Sequence, residues 1–540
     1  MTLSTTPTGM ARRFEVTVLG LYALFISFVS ARHEPWKDET QAWRLAIDSH
    51  GVQALIHNAR YEGHPLLWHL MLQALGHLSR SWWAVVALHV VIACIGAWLV
   101  LRYAPFTRLQ KVLIVFGYWS AYEYSVVVRP YGLGMVLGFA ACVFWLAPRR
   151  RVVPAIVCLL LAANTTAMGT MLALALAAAF AFDWAWPDDA SRRPDLRALV
   201  TVAVAVGAAA MLVLYVALAQ IRPPADAAYQ GAGPMELSHW NIASIPTVEM
   251  RALFPLVLWT DGVQWNRWLL KPVSAYELAL VLLLTMIFLG IGLAIAARRR
   301  VALLFYVLGT GGLLVFFGFL FEGTAHHHGY LFIVWVISAW LAWSGPPSDR
   351  PELLRRFSGA VDRMRGNLFA LSLVAPVVAT IELATADILT PFSDVPHVAQ
   401  VIRSAGLVDA PTIAIVRSHA QAVSAFTNHP VLFPLEGKTR TFVVWGSDGR
   451  AYARTVRAAD SATTALLAQH CRVVLISSPS QDVAPETAAR AHLLYTTTFR
   501  PMSGDRFRVW VVSAPASARC PAPRYPSSPS RSNQPSNPTS

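Results

Sequence analysis

Long apolar runs, each closed by a short polar or basic segment, set the pattern of the first 386 residues. The first covers residues 14–31, which at a helical rise of about 1.5 Å per residue comes close to the thickness of a bilayer's hydrocarbon core. Its Val29-Ser30-Ala31 also resembles a signal-peptide cleavage site, but the runs that follow favour a retained first helix. Those runs are 82–103, 112–127, one from 130 to before Arg149, a hairpin around Asn164-Thr165-Thr166 ending near Trp184, then 199–219, 276–296, 302–321, 330–343 and 368–386. Together they predict about eleven membrane-spanning helices. Residues 65–78 read as an amphipathic helix at the interface, and 220–271 as a long polar segment with a belt of Trp240, Trp259, Trp265 and Trp268.

Beyond residue 386 the pattern changes. Residues 387–514 alternate short β-rich runs (412–416, 441–445, 472–476 and 507–512) with helical stretches (420–426 and 461–470), which predicts a small α/β domain. Residues 515–540 are rich in Ser and Pro and read as a disordered tail. The division is therefore a membrane part over 1–386, an α/β domain over 387–514 and the tail.

Composition agrees with a polytopic membrane protein: 540 residues, 55% hydrophobic, 14% charged, mean hydropathy +0.47, against about 25% charged in soluble domains. The formal charge of +14 does not point to nucleic acid, because Arg and Lys cluster in the connectors (Arg102, Arg108 and Lys111; Arg149–Arg151; Arg192, Arg193 and Arg197; Arg298–Arg300; Arg355, Arg356, Arg363 and Arg365). From a cytoplasmic N-terminus, eleven spans put every such cluster on the cytoplasmic side. The α/β domain then lies outside the cytoplasm, where Cys471 and Cys520 could pair. Cys94, Cys142 and Cys158 sit in apolar runs and read as small core residues.

One connector departs from this economy of charge. Residues 33–69 hold eight charged residues and five histidines, counting both ends. Asp38 and Glu39 are adjacent, and adjacent acids in a partly dry cleft raise one pKa toward that of a useful base; equally, they could cap the helix starting near Thr40. Glu62-Gly63-His64-Pro65 could contact substrate or order a turn. On the same face come Glu123 and Arg129, as an ion pair or with Arg129 on a phosphate, and Tyr131 in Arg129-Pro130-Tyr131. Glu322 and His326, His327 and His328 follow, the histidines open to phosphate contact or to a divalent metal.

Tyr-Glu-Gly-His-Pro-Leu-Leu-Trp after an Asp-Glu pair, with a later Val-Arg-Pro-Tyr, resembles the integral-membrane glycosyltransferases of the GT-C fold. The resemblance is nearest to bacterial relatives of the protein mannosyltransferase and aminoarabinose transferase group, and covers roughly residues 10–345. It implies an inverting transferase in the bacterial inner membrane that uses a polyprenyl-phosphate sugar and an extracytoplasmic acceptor (lipid, glycan or protein). It implies Asp38 as base or acceptor-orienting acid with Glu39 second, and donor phosphate held by Arg129, His327 and His328. A transporter or flippase for a lipid-linked saccharide is the alternative; a non-catalytic assembly partner is a third reading.

Overall fold

The computed structural model describes residues 9–187, 245–257, 274–346, 358–446 and 452–514, with isolated positions between 195 and 227 and at Trp265, Trp268 and Leu269. Most of the expected 199–219 span, Trp240, Trp259 and the 515–540 tail lie outside the described residues.

The chain enters with α1 (Gly9–Arg32), then folds the charged connector into α2 (Lys37–Asp48), α3 (Val52–Ala59) and α4 (Leu67–Leu78). Gly63, at φ 67°, makes the turn before Pro65 in the left-handed region where glycine is at ease. α5 (Trp82–Tyr103) begins at Ser81, whose hydroxyl accepts the Trp83 amide. α6 (Arg108–Val115) follows, then α7 (Tyr131–Trp145), α8 (Val152–Ala163) and α9 (Ala167–Ala185). The rest of the membrane part is α10 (Ile245–Leu253), α11 (Ala275–Ala296), α12 (Arg300–Phe319), α13 (Ala325–Trp343), α14 (Ser358–Ser372) and α15 (Val374–Leu389). α13 is buried along nearly its whole length, packed by α7, α9, α10, α11 and α12. That is why it reads as apolar on every side.

Six helical stretches among the described residues are long and apolar enough to cross a membrane: α1, α5, α9, α11, α12 and the joined stretch Ala360–Leu389. The chain is thus a polytopic helical membrane protein. α7 and α8 are shorter apolar helices. The expected 112–127 span is not one helix. α6 stops at Val115, and Trp119–Glu123 forms a π-turn. The cause lies in the polar tips of its aromatic residues. Tyr118 donates to Glu123 (2.5 Å), Trp119 to the Ala252 carbonyl (2.7 Å), Tyr122 to Asp387 (2.9 Å) and Tyr124 to the His326 carbonyl (2.7 Å). These partners lie in different directions, and the wide turn distributes the rings among them. At the end expected to be cytoplasmic, Asp183 takes Arg150 (2.7 Å), Arg299 (3.6 Å) and the Trp145 indole (2.9 Å).

After α16 (Val395–Ser404) comes a six-stranded sheet of order β3-β2-β1-β4-β6-β5. Its strands are β1 (Thr412–Ala414), β2 (Val431–Phe433), β3 (Lys438–Arg440), β4 (Arg472–Ser477), β5 (Ala491–Thr496) and β6 (Arg508–Ser513). β1 runs parallel to β2 and β4, and the other pairings are antiparallel. α17 (Arg417–Thr427) makes the β1–β2 crossover and packs on α2, α18 (Tyr452–Leu467) covers the opposite face of the sheet, and α19 (Pro485–Arg490) leads into β5. Successive strand residues feed opposite cores: Ala414, Val474 and Ile476 on one face, Ile413, Val473 and Leu475 on the other.

The 441–445 run is not a strand, despite its β-rich sequence. The Val443 amide donates to Gln41 Oε1 (2.9 Å), and the Val443 carbonyl accepts from Gln41 Nε2 (2.8 Å). A side chain of α2 thus takes the backbone groups that a neighbouring strand would use, and pairing ends with β3.

Gly132 stands where a Cβ would lie 2.3 Å from the Tyr124 carbonyl oxygen. Gly132→Ala is expected to destabilise by about 1–3 kcal/mol, seen as a lower thermal midpoint in detergent.

Candidate active site

Within the first polar connector, α2 ends up largely buried, between the membrane helices and the sheet. Lys37 reaches Asp505 (2.8 Å), Gln421 donates to the Lys37 carbonyl (2.6 Å), Arg44 approaches Asn428 (3.3 Å), and Thr441 bonds Asp48. α2 is therefore held from both sides, and its first turn carries the two acids at the centre of the site.

Those acids do different things. Asp38 is 38% exposed and lies 3.0 Å from the Arg129 guanidinium, itself only 11% exposed. Glu39 is buried. One of its oxygens accepts the Val128 amide (2.7 Å); the other accepts the Trp36 amide (3.0 Å) and meets His33 Nε2 (3.2 Å). Glu39, expected to share the chemistry with Asp38, instead caps the helix and pins the 124–130 segment. The capping role belongs to Glu39 and leaves Asp38 part-exposed beside Arg129.

Behind Glu39 stands an ionic chain. His33 Nδ1 is 2.7 Å from Asp387 Oδ2, which also accepts the Tyr122 hydroxyl. Burial works against a charge on His33, but Asp387 and Glu39 outweigh it and lift its pKa from 6.5 to about 10.

Glu62 accepts Gln41 Nε2 (2.8 Å) and lies within electrostatic reach of Asp38 and Arg129. Burial raises its pKa to about 7, the Gln41 hydrogen bond opposing the rise. Burial, and then Arg129, push His64 down to about 3, so its imidazole is neutral. Glu34, half-buried near Ser393, also rises to about 7, with desolvation the main cause.

The expected ion pair between Glu123 and Arg129 does not form. Glu123 Oε2 accepts Tyr118 and the Trp265 indole (2.7 Å). Trp265 and Trp268 are buried rather than set in an interfacial belt; Trp265 stacks on His326 (centroids 5.5 Å apart, 11° between planes) and stands edge-on to Trp36. Arg129 lies 5.7 Å over the Tyr131 ring. Around Tyr131 gather His64 (6.3 Å), His326 (5.2 Å) and His327 (5.5 Å). His328 does not join them. Its Nε2 bonds the Glu322 carbonyl (2.9 Å) and its ring packs edge-on to Phe317. Residues two apart on a helix point about 200° apart, so when His326 faces the cleft His328 faces away. His327 also closes the start of α13, its Nδ1 accepting the Thr324 amide (2.9 Å). Among the described residues no group of three or more His, Cys, Asp or Glu side chains is placed to hold a metal ion.

Five polar groups around Arg129 hold buried atoms with no hydrogen-bond partner within the protein: Arg129 Nε, the Tyr131 hydroxyl, His64 Nδ1, both ring nitrogens of His69, and Glu123 Oε1. His69 was not legible as a site residue, since it stands in no motif; its one signal is a histidine on a mostly apolar helix.

No family model matches this sequence, and no curated protein is similar to it. The fold, though not the sequence, is similar to that of a solved membrane protein. The crystal structure of ArnT from Cupriavidus metallidurans bound to undecaprenyl phosphate is similar, with a TM-score of 0.51 at 13% identity over 96% of this chain and 100% of that one. The apo state of the same ArnT gives 0.49 at 12% identity over 94% and 99%.

Because the folded pKa of His33 is raised, its contribution to stability is complete below about pH 6.5 and is lost as pH rises through about 10. The thermal midpoint is expected to fall across that window. Asp387→Asn, which removes one of the carboxylates holding the proton, is expected to move the fall to lower pH.

Proposed function

We propose that this protein is an inverting glycosyltransferase that moves a sugar from a polyprenyl-phosphate donor to an acceptor hydroxyl on the extracytoplasmic side of the bacterial inner membrane. The observation that carries this reading is the set of unpartnered buried polar atoms around Arg129, beside the part-exposed carboxylate of Asp38. Buried polar groups are almost always paired. Arg129 Nε and the Tyr131 hydroxyl are donors, and neutral His64 and His69 each carry one N–H, so the partner they suit is a multivalent oxyanion such as a phosphate. The similar ArnT structure is bound to undecaprenyl phosphate, which supports the same class of carrier here.

In the proposed reaction Asp38 orients the acceptor hydroxyl and takes its proton as the oxygen attacks the anomeric carbon. The bond from that carbon to the phosphate oxygen breaks, and the electron pair leaves with the lipid phosphate. Arg129, Tyr131, His64 and His327 stabilise the departing charge. Such preorganised donors act at full strength in a water-poor cleft. A single displacement inverts the anomeric centre. Glu62 completes the acceptor side, and Glu123 and Glu39 hold the walls. His328 lies too far round its helix to contribute.

Topology follows the basic connectors, with a cytoplasmic N-terminus and residues 387–514 outside. Cys471 is disulfide-bonded, while Cys94, Cys142 and Cys158 are free; a disulfide suits an oxidising compartment. A flippase would put its polar groups near mid-membrane on broken helices, whereas these gather at one end of the bundle, beneath the sheet.

Asp38→Asn is expected to abolish transfer from a panel of polyprenyl-phosphate sugars to envelope acceptors while leaving the thermal midpoint unchanged. Arg129→Gln is expected to lower turnover by about 100- to 1,000-fold and to weaken retention of polyprenyl phosphate. Full transfer by folded Asp38→Asn would remove Asp38 from the chemistry.

A further inference from the structure

One histidine stands deep in a membrane helix. His89 lies about two turns inside α5, within a run of apolar residues, and is 1% exposed. Ionisable side chains at such depth are costly and are usually partnered or functional. Its partners are two backbone carbonyls of the segment that carries Arg129: Nδ1 is 3.0 Å from the Ser125 oxygen, and Nε2 is 3.1 Å from that of Arg129 itself. The ring stands edge-on to Trp68 of α4, with centroids 5.8 Å apart. Residues 127–130 lie between the π-turn and α7, outside both helical ladders, and Pro130 has no amide hydrogen. That stretch takes its fixed points from side chains instead. Glu39 of α2 holds the Val128 amide (2.7 Å), and His89 of α5 spans the carbonyls on either side of it.

We propose that His89 is a positioning residue of the active site, which fixes the root of the Arg129 side chain by gripping the backbone carbonyls of Ser125 and Arg129. Its effect on sugar transfer rests on the transferase reading; the grip on the backbone does not. The Arg129 side chain starts from a backbone anchored at its own carbonyl and ends with its guanidinium 3.0 Å from Asp38 and 5.7 Å over the Tyr131 ring. Without His89 the segment keeps the Glu39 bond as a single pivot and can turn about it, carrying the guanidinium off its place. The residue acts through Arg129 and touches no substrate.

The test uses variants of the full-length protein in detergent. His89→Phe keeps a ring beside Trp68 and removes both nitrogens, His89→Leu takes its place where Phe does not fold, and His89→Gln restores an N–H donor. The first readout needs no activity: arginine modification by phenylglyoxal, followed residue by residue by mass spectrometry. Arg129, whose side chain is 11% exposed, is expected to react several-fold faster in His89→Phe and near the wild-type rate in His89→Gln. Arg44, 5% exposed, reports general loosening and is expected to keep its rate. The second readout is transfer from a polyprenyl-phosphate sugar. His89→Phe is expected to lower turnover by about 100-fold, as for a catalytic group displaced by about 1 Å, and His89→Gln by less. In an Arg129→Gln background His89→Phe is expected to cost nothing further. Unchanged labelling of Arg129, equal acceleration at Arg129 and Arg44, or equal loss of transfer in both backgrounds would overturn the proposal. So would full transfer by folded His89→Phe. A wild type that transfers no sugar, with Arg129 labelling still dependent on His89, would sink the transferase reading and leave the grip on the backbone standing.

Discussion

A positive charge that cannot reach water fixes the centre of this molecule. His33 lies between Glu39 and Asp387, all three buried, and a buried charge is tolerated only where its partners are held in place. The three residues come from the end of α1, the first turn of α2 and the last turn of α15. Glu39 adds the Val128 amide, and Asp387 adds Tyr122 of the π-turn. One ionic chain therefore locates most of the segments that surround Arg129 and Tyr131. Asp38 inherits its direction from this arrangement, because its neighbour is locked inward.

The second organising contact is polar as well. α2 meets the sheet through Lys37, Gln41, Arg44 and Asp48, each with a named partner. An apolar seam would bury area without choosing a register, whereas these directional bonds choose one. The site thus forms where two polar seams meet, and the apolar bulk of the membrane helices serves as scaffold.

Much of this was legible in the sequence. Apolar run length marked the helices that cross a membrane, and the concentration of charge in residues 33–69 marked the loop that carries Asp38, Glu62 and His64. What escaped had specific causes. Residues 118–124 read as part of a span because ring area hides the polar tips that force the π-turn. Residues 441–445 read as a strand because nothing in Thr-Phe-Val-Val-Trp tells that Gln41, 402 positions away, takes the Val443 backbone. β2 has three residues, too few for an alternation to show. Trp265 and Trp268 read as an interfacial belt because Trp suits both water edge and core, and only the Glu123 contact decides. His328 read as equivalent to its two neighbours because sequence adjacency hides helical phase.

The contacts that close the cleft span most of the chain: 354 positions from His33 to Asp387, 402 from Gln41 to Val443, 468 from Lys37 to Asp505. Synthesis runs from the N-terminus and domains fold as units once made, so the loop bearing Asp38 is produced early and lacks its supports until the sheet has been made and has docked. A nascent or C-terminally truncated chain can insert all its helices and still have no ordered cleft. The supports of Asp38 and its neighbours are thus completed only with the last part of the polypeptide.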